Sequence, residues 1–263
     1  MGITGKTKIF PIIGRPVETV FSPPAYNTWF AEHGLDVQML AMDVAPDTLP
    51  DFLRFMRSSE SFLGCSVTYP YKQDVFEFSD DKTDRAERLG ALNTLRRLPD
   101  GTLSGDATDG LAMVGAIKGK GVDPSGRSAL ILGAGGGAGW AIADALCEAG
   151  LAQLSVVDID AGRVARVTNS LQNFWPEVAV QNDPKAKCDI LVNATILGKS
   201  SNDPLPFGAA QIEATTIVCD VVTGDGDTEL IKLSKNAQKF TVDGSDMGRC
   251  QLEPQLRFLG LYR

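Results

Sequence analysis

The sequence predicts an α/β fold in two domains, and three observations carry that prediction. Extended and helical runs alternate from the start of the chain, a second alternating series opens after residue 126, and the glycine- and charge-rich stretch from Lys118 to Gly126 lies between them. The chain crosses from one domain to the other in that stretch or in the helix just before it.

In the first series Thr7 to Ile13 reads as extended, Ser22 to His33 as helical, Val37 to Val44 as extended, Pro46 to Ser58 as helical and Phe62 to Thr68 as extended. Ser22 is placed to cap the first helix, Pro23 supplies a helical φ where no donor is needed, and Gly34 ends it. Ala91 to Leu98 and Thr102 to Ala107 form a hairpin around Pro99-Asp100-Gly101, and a helix runs from Asp109 to about Lys118. Ser128 to Leu132, Leu154 to Val157, Asp189 to Ala194 and Ile217 to Val222 are apolar enough for strands buried on both faces of a parallel sheet. Thr241 to Gly244 reads as a turn and Met247 to Leu259 as one closing helix. The expected domains are residues 1–108, completed by 242–263, and residues 109–241.

With 263 residues, 43% of them hydrophobic, the chain can bury a sizeable core. Its 25 basic and 33 acidic residues give a net charge of -8, which repels phosphate backbones and anionic lipid and argues against nucleic-acid or membrane partners. Cys65, Cys147, Cys188, Cys219 and Cys250 are an odd, scattered set without a C-x-x-C pair. They read as reduced, mostly buried thiols, and no metal site is expected. The apolar stretch from Phe10 to Gly14 is too short for a signal peptide and no run of about 18 apolar residues occurs, so the cytoplasm is the expected compartment.

After the strand Ala129 to Leu132 comes Gly133-Ala-Gly135-Gly136-Gly137-Ala138, followed by a helical run from Trp140 to Glu148. This G-x-G-x-x-A between strand and helix is a dinucleotide-binding arrangement. Gly133 permits the tight turn, Gly135 lets backbone approach a pyrophosphate, Ala138 keeps the helix close to the sheet, and the helix start offers N–H donors. Asp158 closes the next strand, where a carboxylate accepts the ribose hydroxyls. A carboxylate there repels a 2′-phosphate, so NAD is favoured, with NADP the alternative through Arg163 or Arg166. Asn193 and Thr195 end a further strand at the same edge and are candidates for the nicotinamide half.

The single histidine, His33, falls at the end of the first helix and reads as structural, so proton transfer must draw on other side chains. Ser66-Val-Thr68-Tyr-Pro-Tyr-Lys72, Gly90-Ala-Leu-Asn93-Thr94, Gly105-Asp-Ala-Thr-Asp109-Gly110, the glycine loop, Asn193-Ala-Thr195, Asp220-Val-Val and Asp243-Gly244 through Met247 to Gln251 follow one another in order. Through these motifs almost the whole chain resembles the shikimate and quinate dehydrogenase family. The resemblance implies an N-terminal α/β substrate domain followed by a Rossmann domain. It further implies NAD(P)-dependent oxidation of a hydroxyl on a polyhydroxylated ring, with Lys72 as acid/base and Asp109 against the reacting hydroxyl, the two sharing the proton transfer. Ser22, Ser66, Thr68, Asn93 and Gln251 are the implied substrate contacts, and a monomer or homodimer is expected.

The family's early serine pair is reduced here to Ser22, because Val20 replaces the first serine. Ser66 and Ala107 replace asparagines, and Thr223 replaces a tyrosine. Losing a donor to a buried carboxylate costs about 1.5 to 3 kcal/mol, so shikimate is expected to bind weakly unless Arg15 or Arg249 compensates. The alternatives are a catalytically silent NAD-binding metabolite sensor and, ranked lower, a one-carbon folate dehydrogenase of similar build.

Overall fold

The computed structural model describes residues 2–18, 20, 22–199, 203–223 and 226–262. Thr19 and Phe21, which belong to the early serine run, lie outside the described residues. The chain divides into two compact units, Met1–Thr108 with Gln251–Arg263, and Asp109–Cys250.

The first unit carries β1 (Lys8–Ile9), β2 (Ile12–Gly14), α1 (Ser22–Glu32), β3 (Val37–Gln38), β4 (Ala41–Asp43), α2 (Leu49–Ser58), β5 (Gly64–Val67), α3 (Lys72–Phe78), β6 (Asp81–Lys82), α4 (Asp84–Leu89), β7 (Thr94–Arg97) and β8 (Leu103–Asp106). Its six-stranded sheet runs β4-β2-β5-β7-β8-β6, and the expected hairpin is the antiparallel pair β7–β8. The two long extended runs of the sequence are each split in two. Pro11 has no N–H to give the ladder, yet Lys8 faces Val37 and Ile12 faces Ala41, so one register carries through the break. The first helix includes Ser22, and the second begins at Leu49 after a turn.

The second unit continues with α5 (Asp109–Gly119), β9 (Ser128–Leu132), α6 (Gly137–Glu148), β10 (Gln153–Val157), α7 (Ala161–Phe174), β11 (Ala179–Gln181), β12 (Ile190–Asn193), α8 (Ala209–Ala214), β13 (Ile217–Asp220), α9 (Glu229–Asn236), β14 (Phe240–Val242) and α10 (Gly244–Cys250). All six strands are parallel, in the order β11-β10-β9-β12-β13-β14, and the inner ones are buried on both faces as their apolar sequences require. Residues 241 and 242 are strand rather than turn, because β14 pairs with β13 from Phe240 to Val242.

The chain re-enters the first unit at α11 (Leu252–Phe258). Residues 242–250 therefore pack with the second unit, and the single closing helix read from the sequence is two. Pro254 is the physical reason: a continuous helix would need an N–H at 254 for the Cys250 carbonyl, and the proline ring would strike that carbonyl. α11 packs with α1 through Leu256 and Leu259 against Phe10, Ile12, Tyr26 and Phe30.

None of the five cysteines is in a disulfide, and four are buried. Burial pushes the Cys147 thiol up to about 12, with Asp144 and Glu177 adding to it, and raises Cys65, Cys188 and Cys219 as well. An aromatic disulfide reagent at mildly alkaline pH is expected to label the native chain at the half-buried Cys250 and to reach the other four only after denaturation. Rapid labelling of more than one thiol would contradict this packing.

Candidate active site

The second unit places the glycine turn at the end of β9, where the strand order reverses between β10 and β12. Gly133 has φ +82°, and a β-carbon there would press on Ala194 and Thr195 of the loop after β12. Gly136 precedes the first turn of α6 with φ -78° and ψ 163°, and a β-carbon on Gly137 would meet open space. That open approach to the helix start fits a phosphate group held by main-chain N–H donors. The close packing assigned to Ala138 belongs to Gly139, where a β-carbon would collide with the Gly133 carbonyl, while Ala138 itself is half-buried.

Asp158 accepts the Gly135 N–H at 2.9 Å and the Asp160 N–H at 3.0 Å, so the acid also shapes the turn. Two bonds leave a carboxylate with acceptor capacity for a ribose diol. Asp160 caps α7 by accepting from Gly162 and Arg163, and the Arg163 guanidinium lies 3.5 Å from its carboxylate. Arg166 stands over the Trp140 ring at 5.3 Å. Ile159, between the two acids, is fully exposed and offers an apolar face at the strand end.

Asn193 is fully buried and its side chain is committed to the protein. It donates to the Leu197 carbonyl and to Asp220, both at 3.0 Å, and accepts from the N–H and hydroxyl of Thr195. Thr195 in turn accepts the Leu197 N–H at 3.0 Å. These two residues build the loop rather than offering their side-chain polar atoms outward. Burial raises the pKa of Asp220 despite bonds from Thr228, Val222 and Asn193. Beside the loop is a cavity of about 290 Å³ lined by Thr195, Ile196, Lys199, Val222 and Thr223.

In the first unit Lys72 is the first residue of α3 and half-buried, and its carbonyl accepts the Leu92 N–H at 3.0 Å. Thr68 follows β5, and Gly14 must lack a side chain because a β-carbon would collide with Thr68. Asn93, buried, accepts from the Thr108 N–H at 2.8 Å, the Thr108 hydroxyl at 3.0 Å and the Thr94 hydroxyl at 3.1 Å. Asp106 accepts from the Thr83 hydroxyl, the Ala107 N–H and both Nε and a terminal nitrogen of Arg85, at 2.6 to 3.2 Å. Residues 106 to 108 are thus pinned one after another. The next residue, Asp109, is 7% exposed and is the first residue of α5.

Ser22 is half-buried in the first turn of α1, and Gln251 immediately precedes α11. Val20 packs against the apolar cluster around Phe10 and Tyr26, so the missing hydroxyl is replaced by core contact. The compensating arginines are engaged elsewhere: Arg15 lies 3.5 Å from Asp43, and Arg249 lies 2.6 Å from Asp246. Ser66 is buried and accepts from Gln255 Nε2 at 3.2 Å, while Gln255 Oε1 accepts the Tyr26 hydroxyl at 2.6 Å. Sequence reasoning missed Gln255, although it stands one helical turn beyond Gln251. It also missed Arg85 and Asp106, whose pairing across 21 residues leaves no local signal.

A parallel sheet in this order, with a glycine turn, a helix start and an acid gathered where the order reverses, defines a dinucleotide-binding α/β unit. The family model for the shikimate dehydrogenase substrate binding domain matches residues 12–95. A shikimate dehydrogenase (NADP(+)) from Rubrobacter xylanophilus is 36% identical over 251 residues, 93% of this chain and 88% of that protein. One from Citrifermentans bemidjiense is 33% identical over 98% of this chain and 91% of its own length. The crystal structure of shikimate 5-dehydrogenase from Listeria monocytogenes in complex with shikimate and NAD superposes with a TM-score of 0.89 at 27% identity, covering 98% of this chain and 93% of that one. Quinate dehydrogenase from Corynebacterium glutamicum in complex with NAD gives 0.85 at 25% identity, covering 96% and 93%. The chain belongs to the shikimate dehydrogenase family.

Proposed function

We propose that the chain is an NAD(P)-dependent dehydrogenase of the shikimate dehydrogenase type, acting reversibly on a ring hydroxyl of shikimate or a related cyclic polyol. The observation that carries the reading is that Lys72 and Asp109 stand at helix starts in a member of this family, each delivered by a segment held through main-chain and side-chain bonds. A silent sensor has no need of that pair.

The nicotinamide, when bound, accepts or returns the hydride. Lys72 and Asp109 then manage the proton of the reacting hydroxyl as a pair, the amine exchanging it and the carboxylate orienting the oxygen. Ser22, Ser66, Thr68, Asn93 and Gln251 hold the ring. The Asn93 carbonyl oxygen accepts three hydrogen bonds, from the Thr108 N–H and from the hydroxyls of Thr108 and Thr94, so that oxygen holds residues 94 and 108 in place. The turn from Gly133 through Gly135 and Gly136 would give the pyrophosphate its close approach, its own N–H groups being held by Val157, Asp158 and Gly133. The main-chain N–H groups of Gly137 and Ala138 at the start of α6 would donate to it, and Asp158 would receive the adenosine ribose. Asn193 and Thr195 act by holding the loop beside them.

NAD is the preferred cofactor in this reading, because Asp158 stands where a 2′-phosphate would be repelled and Arg163 is engaged by Asp160. Replacing Asp158 by serine is expected to lower the NAD-over-NADP ratio of kcat/KM about tenfold or more, the worth of a charge-assisted hydrogen bond; an unchanged ratio would remove Asp158 from the ribose site. Steady-state kinetics with shikimate, quinate and a cyclitol panel, each with NAD and NADP, test the function. Turnover of at least one ring alcohol is expected, and dinucleotide binding by calorimetry with no turnover of any would replace the dehydrogenase by the sensor.

A further inference from the structure

Three buried side chains of the first unit form a directed hydrogen-bond line. The Tyr26 hydroxyl donates to Gln255 Oε1 at 2.6 Å, and Gln255 Nε2 donates to Ser66 Oγ at 3.2 Å. Tyr26, Gln255 and Ser66 are 2%, 1% and 4% exposed, which shields the line from competing water. The Tyr26 ring is fixed between Phe10 and Phe30, at centroid separations of 6.1 and 6.2 Å. Gln255 lies on α11 beside the buried Leu256, and Ser66 lies on β5 two residues before Thr68.

The direction of this line matters because an amide can be turned. With Oε1 toward tyrosine, the amide N–H fills an acceptor site of Ser66 and leaves the serine O–H to donate. With the amide reversed, Oε1 would take the serine proton and Ser66 could only accept. We propose that Gln255, locked in direction by Tyr26, is a specificity-determining residue that fixes Ser66 as a hydrogen-bond donor and so selects ring substrates bearing an acceptor, such as a carboxylate, at that position. This rests on the reading of Ser66 as a substrate contact. It also accounts for a serine serving where a relative would use an amide: Gln255 supplies from α11 the polarity that a side-chain amide carries itself.

The test uses the whole enzyme with NAD, with shikimate and its neutral carboxamide as probes. Gln255→Glu, assayed at alkaline pH so that the buried carboxyl is ionised, puts an acceptor against both hydroxyls and turns the Ser66 proton inward. KM for shikimate should rise a hundredfold or more with kcat within about threefold, and the carboxamide should suffer less. Tyr26→Phe releases the amide, and KM for shikimate should rise about tenfold, the lower bound for one charge-assisted hydrogen bond. Gln255→Met fills the space without a polar group and leaves the Ser66 proton unaligned but not captured, so KM for shikimate should rise about tenfold, as in Tyr26→Phe and well short of the glutamate variant. An unchanged KM in the glutamate variant, or equal losses in the glutamate and methionine variants, overturns the relay. Wild-type turnover of neither probe nor any other ring alcohol instead overturns the dehydrogenase reading on which it stands.

Discussion

Replacing Lys72 by methionine is expected to lower kcat by about a hundredfold to ten-thousandfold, the range contributed by a positioned acid/base group, while dinucleotide affinity stays within about twofold. Methionine keeps much of the side-chain volume at the half-buried start of α3, and Leu92 keeps its bond to the main-chain carbonyl of residue 72, so the local fold should survive. The glycine turn, Asp158 and the start of α6 all belong to the other unit, which is why binding and turnover should separate. Asp109→Asn should lose turnover on the same scale, since the amide keeps the shape and loses the charge. Calorimetry for the dinucleotide beside steady-state kinetics for the ring alcohol makes the measurement. A lysine variant retaining more than about a tenth of wild-type kcat would take Lys72 out of the proton transfer.

The two halves of the fold were not equally legible. β9, β10, β12 and β13 announced themselves because strands buried on both faces must be apolar throughout, and the glycine turn between β9 and α6 stands beside them. β14 did not, because it is a three-residue edge strand whose Phe240 is exposed, and Asp243-Gly244 beyond it has turn chemistry. Pro254 was in plain view and still passed over, since its helix-breaking effect falls on Cys250, four residues earlier. At the site, Gly133 and Asp158 could be read from spacing, but Asn193 could not be told apart as a loop builder. Its role depends on Asp220, 27 residues away, and on the turn that brings Thr195 and Leu197 back onto it. Likewise Ser66 and Gln255 are 189 residues apart, and only packing joins them.

Arg85 and Asp106 carry the second large expectation, this time on stability. The side chain of Asp106 is 4% exposed and that of Arg85 18%, and they meet through Nε at 3.2 Å and a terminal nitrogen at 3.1 Å. Arg85→Met removes this forked partner and leaves a buried anion held, among the described residues, by the Thr83 hydroxyl and the Ala107 N–H. Breaking a buried pair from one side costs about 3 to 5 kcal/mol, and the two remaining donors place this case toward the lower end. The double variant Arg85→Met, Asp106→Leu removes the stranded charge as well, so it should lose less than the single change, even though Thr83 and Ala107 surrender an acceptor. Urea unfolding of the two variants beside wild type makes the comparison. A double variant less stable than Arg85→Met would mean that Asp106 matters for its bonds to Thr83 and Ala107 rather than for its charge. The same segment ties stability to turnover. Asp106 holds Ala107 and Asn93 holds Thr108, so a loosened Asp106 frees the residues that deliver Asp109, and kcat should fall with stability while dinucleotide affinity holds.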